Sequence, residues 1–470
     1  MPTRKDVLTG AAALALSSTP ALGRAARAAQ AQGFSDAITR HLPTADQVWA
    51  WEKKLAAWAP CFTGSVSHRA WIDWLGTRLQ AAGITPRRQT FHFPYWQPHS
   101  YGLWLDGEPV HATGYRPHSG STGPGGVTAP MVYAGKAPTL DFSGAAGKIA
   151  LVDVEPLARP GGLAGSTPVQ TGMGAPNIDA AAKAGAKAVV YIWNGFSDAN
   201  AQWQMQPFFG PPTASPTLWV GQAAGERLKA AAAHGARLKF VLDATVHEDT
   251  PSDTVWGVLP GATDEVVIVN THTDGCNATE ENGGLAVTSL AWALSRLPKG
   301  ERRKTYVFLM TTGHFSHGFI QGAPSWQKEN PELMSRAVAC MTCEHLGARE
   351  WRDVDGVYQP TGGFTPATAY TWTKPMARLF TEVVAASHAA PMTAVDPTGP
   401  GQRFYGEGAS FWRAGVPTVA YITGPDYLMA APPKGGEIEK LDRARLHHEL
   451  VVFARTLEKI DAMSREEIKG

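Results

Sequence analysis

Between Thr271 and Gly284 the chain reads THTDGCNATEENGG, which puts an imidazole (His272), an aspartate two residues on (Asp274) and two adjacent glutamates (Glu280, Glu281) into one loop. Two other stretches carry the same kinds of group: Thr311-Thr312-Gly313-His314 and Cys343-Glu344-His345. Imidazole nitrogen and carboxylate oxygen are the ligand set of a catalytic zinc or a similar divalent ion. A lone histidine at a strand end is usually structural, but Asp274 and Glu281 beside His272 favour a ligand. Glu280 competes with Glu281 for that role; the Asn-Gly-Gly that follows fits a tight turn into a helix and favours Glu281. Glu344 follows an apolar run directly, so a buried carboxylate there needs a partner, of which a metal is one kind. His314 reads as base, ligand or structural residue, and His345 as packed or functional.

All these groups share a position: each follows a short apolar run that predicts a buried strand. The runs are Val266–Val269, Tyr306–Met310 and Ala337–Thr342, with a fourth at Pro417–Ile422. Between the first two, Leu290, Leu294 and Leu297 are spaced for one face of a helix over Leu285–Leu297, and a long closing helix is predicted over Ile438–Met463. His447 and His448 fall within that closing helix as surface residues. Such alternation predicts an α/β fold with a mixed central sheet and helices on both faces. In open sheets of this kind, loops from different strands converge at the carboxyl ends, where ligands collect. Upstream, Trp71, Trp74, Leu75 and Leu79 share one stripe of a predicted helix over His68–Ala82, with Gly83 as its stop, and a strand is predicted over Arg88–Trp96.

From Tyr101 to Val246 the texture differs. Gly and Pro are dense and short apolar runs recur at Pro130–Tyr133, Lys148–Val154, Ala188–Trp193, Thr217–Val220 and Leu238–Leu242. One helix is predicted over Ile178–Ala184, capped by Asn177. A small β-rich domain, residues 101–246, inserted into an α/β domain made of residues 31–100 and 247–470, accounts for this pattern and for a length of 470 residues, which exceeds what one core usually organises.

The net charge of +1 and the lack of a basic run argue against nucleic acid as a partner. Arg4 and Lys5, the apolar run Val7–Leu16 and small-residue sites at Ala26–Ala28 and Ala29–Ala31 predict an export signal over residues 1–30, twin-arginine-like in flavour, and a periplasmic or secreted mature protein. No later run has the length to span a bilayer. Of the four cysteines (Cys61, Cys276, Cys340, Cys343), Cys340 and Cys343 lie in the apolar run AVACMTC and read as buried strand residues on opposite faces rather than as a metal or redox motif. Pairing among the four cannot be read from their spacing.

At the His-Asp, Glu-Asn and Glu344 positions the chain resembles the co-catalytic zinc aminopeptidases and glutamate-carboxypeptidase-like proteins of metallopeptidase family twenty-eight, over roughly Thr44 to Met463. Residues 101–246 resemble the protease-associated (PA) domain often inserted there, through GKIALVDV and NIDAAAKAGAKAVVYI. The resemblance implies that His272 is a metal ligand, that Asp274 orients it, that Glu281-Asn282 stands where the family has a bridging Asp-Asn, and that Glu344 is the later acidic ligand. It also exposes departures. The family's Glu-Glu pair, base then second-metal ligand, is His314-Phe315 here; its late histidine has no counterpart between Tyr421 and Leu446; and Gly406–Phe411 (GEGASF) replaces its usual S-D-x-x-x-F variants. Together these imply one zinc, or another divalent ion, on His272, Glu281 and Glu344, with His314 in the place of the base and Asp274 or His345 as an alternative ligand. The expected function is an exported metal-dependent hydrolase of amide or peptide bonds; the alternative is a non-catalytic binding protein on the peptidase fold. Phe315, Tyr405 and Glu407 are candidate pocket residues, and specificity is expected from the insert and from loops at Thr361–Tyr370 and Gly401–Phe411.

Overall fold

The structure is a computed structural model that describes residues 34–155, 178–205, 212–389, 392–400 and 402–470. The predicted export signal and the Asn177 cap lie outside them, as does Gly401.

The elements that carry the site are helix α1 (Val66–Ala81), strands β1 (Arg87–Leu105), β2 (Arg237–Leu259) and β3 (Val266–His272), helix α2 (Gly283–Ser295), strands β4 (Thr305–Thr311) and β5 (Ala337–Glu344), helix α3 (Gly408–Arg413), strand β6 (Thr418–Thr423) and helix α4 (Arg443–Ala462). Strand β3 runs parallel to β4 on one side and to β5 on the other; β5 runs parallel to β6, and β2 closes on β4 antiparallel. The sheet is therefore mixed, as expected. Its central strands alternate between two cores. Val267 and Val269 face one packed with Trp71, Leu75 and Leu290, while Val266 and Ile268 face another with Trp256, Trp326 and Phe411. Burial on both faces is what made these strands continuous apolar runs. Cys340 and Cys343 go to opposite cores, and all four cysteines are free and buried.

Helix α1 starts two residues earlier than predicted because Ser65 caps it, its hydroxyl accepting from the His68 amide at 3.0 Å. The closing helix is interrupted: Ile438–Lys440 is a single 3-10 turn, and α4 begins only after Asp442, whose carboxylate accepts from the Arg445 amide. The largest difference is β1. It extends to Leu105, past Pro94 and Pro98, with register shifts between Phe93 and Tyr95 and between Pro98 and Ser100. It pairs with β2 along its whole length. The expected boundaries at 100/101 and 246/247 thus fall inside two unbroken strands, and the insert hangs from the α/β part as a continuation of its sheet. The insert has its own cores, around Leu103, Leu151 and Phe240 and around Val152, Trp193 and Trp219. Among the described residues, no helix is long and apolar enough to cross a membrane.

Candidate metal centre

The parallel register does the placing. His272 pairs with Thr311, and Asn270 with Thr342, so the loops after β3, β4 and β5 leave the sheet side by side. His272 is buried at the end of β3. Its Nδ1 lies 2.9 Å from the Asp274 carbonyl oxygen, which as acceptor assigns the proton to Nδ1 and leaves the Nε2 lone pair facing inward. His345 repeats the device. It is held at φ +58°, and its Nδ1 lies 2.7 Å from the Thr423 carbonyl at the end of β6, which again frees Nε2. A left-handed backbone at a non-glycine residue is uncommon and is retained where its surroundings enforce it.

Glu280 sits on the short turn Ala278–Glu281. Asn277 pins that turn: its Oδ1 accepts from the Glu280 amide at 3.1 Å and its Nδ2 donates to the carbonyls of Tyr427, Leu428 and Ala430. Glu280 Oε2 comes within 3.1 Å of His345 Nε2, and Glu280 Oε1 within 3.7 Å of His314 Nε2. The His314 ring stacks on His272 with centroids 4.1 Å apart, and its Nδ1 is 3.5 Å from Glu407 Oε1. Glu407 also accepts from the Thr311 hydroxyl, while its amide donates to Glu344 Oε1 at 2.7 Å. Gly406 makes room for that contact. It is at φ +80°, and a Cβ there would lie 2.5 Å from Glu344 Oε2.

Two sets of ligand atoms therefore converge, each within 4.8 Å of one another: His272, Glu344 and His345, and His272, Glu280 and His314. Of the expected trio, His272 and Glu344 share a group. Glu281 is in neither, because one helical turn cannot aim adjacent residues the same way; its Oε1 accepts from the Cys61 amide at 2.6 Å. Burial pushes the Glu281 carboxyl well above its usual value. Asp274 reaches His272 through its backbone carbonyl; its carboxylate accepts from the Thr63 hydroxyl and from the Phe315 amide. The Phe315 ring packs with Met205, Cys276 and Met429, its centroid 5.5 Å from that of the His314 ring. Tyr405 does not border the cleft that opens onto the site, whereas Glu407 does. Glu280 was legible as an alternative to Glu281, but the part Glu407 plays opposite His314 had no signal in the spacing.

Buried polar atoms test whether these residues suit a metal. Among the described residues His272 Nε2, His345 Nε2 and Glu280 Oε2 have no hydrogen-bond partner; the last two attract as an ion pair but are not aligned to bond. Buried polar atoms are normally satisfied, and these three belong to the two groups of ligand atoms that share His272, an arrangement that suits a cation. The charges agree. Burial holds His272 near 4, as a neutral ring. Burial raises Glu280, but His345, His272 and His314 outweigh it and keep the carboxylate below its usual value. Burial lifts Glu344 to about 7. Burial lowers His314, yet Glu407 and Glu280 overcome this and raise it to about 9.

No family model and no curated protein matches the sequence. Solved structures do match its fold. A zinc aminopeptidase from Bacillus subtilis superposes with a TM-score of 0.64 at 17% identity, over 91% of this chain and 98% of that one. A Peptidase M28 precursor from Shewanella amazonensis SB2B gives 0.64 at 15%, over 94% and 96%, and an aminopeptidase from Aneurinibacillus sp. strain AM-1 gives 0.61 at 18%, over 90% and 94%. The likeness is one of fold, and it runs over nine-tenths or more of this chain.

Proposed function

We propose that the protein is an exported metal-dependent hydrolase of amide or peptide bonds that works with one divalent ion, zinc by preference, and uses His314 as its general base. The observation that carries this reading is the convergence of His272 and His345 with Glu344, and of His272 and His314 with Glu280, at the carboxyl ends of three parallel strands. His272 and Glu344 are the ligands expected from the sequence; the distances favour His345 and Glu280 over Glu281 beside them. When bound, such an ion brings the pKa of a water toward 7 and polarises a carbonyl.

The chain's own groups supply the remainder. The carbonyls of Asp274 and Thr423 keep a proton on each Nδ1, so that Nε2 of His272 and His345 is offered to the ion. His314 lines the cleft beside Glu407, where an imidazole can take a proton from an attacking water and return it to a leaving amine. His314 is held up by Glu407 and Glu280, and a cation held by the neighbouring residues would oppose that pull and favour the neutral ring a base requires. We read residues 101–246 as a PA-like domain that closes one side, with Met205 reaching the cluster behind Phe315, and residues 1–30 as the export signal.

Elemental analysis of the mature protein, with a screen of amide and ester substrates, tests the reading. About one equivalent of metal and metal-dependent turnover that His314→Ala removes is the expected result. No metal uptake from zinc, manganese or cobalt would overturn it, and metal uptake without turnover on any substrate would leave the non-catalytic alternative.

A further inference from the structure

The cleft that leads to the site has two unlike ends. Its inner end is acidic, with Glu407 at the wall and Glu280 and Glu344 behind it. Its outer rim carries Arg413, the one guanidinium among the described residues that line it. Arg413 is exposed and takes part in no ion pair among the described residues. The two ends lie on one element. Glu407 is the N-cap of α3 and Arg413 its last residue; Glu407, Ser410 and Arg413 are spaced three apart, share one helix face, and all line the cleft.

Spacing sets what fits between these ends. Six residues of helix separate the two Cα atoms by roughly 9 Å. Long side chains on a helix lean back toward its N-terminus, so the guanidinium reaches from the rim toward Glu407. One or two residues of extended chain, at about 3.5 Å each, cover the remaining distance. At the outer end an anion meets a planar fork of donors that matches a carboxylate in two-point contact, clear of Glu407, Glu280 and Glu344.

We propose that the cleft selects substrates with a free carboxylate one or two residues beyond the bond to be cut, and that Arg413 recognises that carboxylate. The same polarity fixes direction: the carboxylate lies over Arg413 and the scissile carbonyl lies at His314. The inference names the substrate class for the hydrolase proposed above and rests on that reading.

The test uses the mature, zinc-loaded protein and pairs of short peptides that differ only in a C-terminal carboxylate or carboxamide. The acid is expected to have a kcat/KM about tenfold or more above the amide, the range of a hydrogen bond to a charged group. That ratio should collapse toward one in Arg413→Ala and be partly kept in Arg413→Lys, with the change in KM. Equal values for acid and amide, or a preference that survives Arg413→Ala, would overturn the inference while leaving the hydrolase intact. If no peptide is cut, the hydrolase reading fails and binding decides this one. An N-acetylated amino acid, but not its amide, should raise the melting temperature of the wild type and not of Arg413→Ala; no such difference would sink it.

Discussion

Glu280 and Glu281 are neighbours with opposite surroundings, and exchanging each for glutamine separates the geometry from the family pattern. Glu280 Oε2 points at His345 Nε2 without hydrogen-bond alignment; Glu281 Oε1 accepts a backbone hydrogen bond from Cys61. Glutamine keeps the shape in both cases. At position 281 its carbonyl oxygen can still accept from Cys61, and burial already drives that carboxyl toward its neutral form. At position 280 it removes a negative charge from among three imidazoles.

The size of the effect follows from linkage. Metal at a hundred times its Kd stabilises the folded form by about 2.7 kcal/mol. With about 2.1 cal/mol/K of unfolding entropy per residue, 470 residues give ~1 kcal/mol/K, so the rise in melting temperature is about 3 °C. Removing even an outer-sphere partner typically weakens a metal 10–100-fold, and a ligand does at least as much. At the upper figure the same metal concentration gives Glu280→Gln about 0.4 kcal/mol, a shift well under 1 °C. Differential scanning calorimetry with and without zinc, alongside a competition titration for Kd, reads both quantities. Glu281→Gln is expected to keep the 3 °C rise. Should Glu281→Gln lose it and Glu280→Gln keep it, the placement of these two side chains is wrong and the family pattern has prevailed over the geometry.

Gly406→Ala adds a Cβ in the left-handed region against the Glu344 oxygens, costs about 1–2 kcal/mol of backbone strain, and weakens metal binding; an unchanged metal Kd refutes the cradle. Asn282 donates to the Leu346 carbonyl at 2.9 Å and accepts from its amide at 2.8 Å, bracing the turn that holds His345. Asn282→Ala is expected to cost about 1–3 kcal/mol for each buried group it orphans and to loosen the metal, both measurable by urea unfolding with and without zinc. His68 accepts from the Gly64 amide on Nδ1 and faces Thr273 Oγ1, itself a donor to Thr311, so the ring is locked neutral; burial holds it near 4 against an ordinary 6.5. The unfolded chain therefore binds a proton first as pH falls. Stability is full above about 6.5 and about 3 kcal/mol lower once pH reaches 4. His68→Gln should flatten that limb of the urea midpoint against pH, and an unaltered limb would show that His68 does not cause it.

The strand ends were legible because each central strand is buried on both faces and must be apolar throughout, so the first polar residue after each run marks the sheet edge. That logic found His272, His314, Glu344 and His345. It stopped short on β1, expected only to Trp96, because Pro98 argues against a strand until the bulge there and the partner strand β2 are known. It failed for the hairpin Arg349–Val354 and Val357–Phe364, which lies apart from the main sheet with little burial, so no alternation of apolar and polar residues marks it. The different directions of Glu280 and Glu281 follow from the phase of a four-residue turn, which a pattern of residue types does not carry.

Phe315 bears on how many ions the site can hold. Adjacent residues of the loop after β4 part company: His314 turns to the carboxylates, and Phe315 turns to Met205, Cys276 and Met429, with the Phe62 ring 6.2 Å away. These partners come from the insert, the metal loop, the loop after β6 and the segment before α1. Four separate parts of the chain thus close an apolar cluster behind Phe315, one of the two positions where the resembling family has a second-metal ligand. Placing a carboxylate there would bury a charge among side chains that cannot pair with it, at a cost of several kcal/mol. Restoring a second ion would therefore require rebuilding the cluster as well as the ligand. This fits the one-ion reading proposed above, with Met205 among the side chains that fill the space behind Phe315.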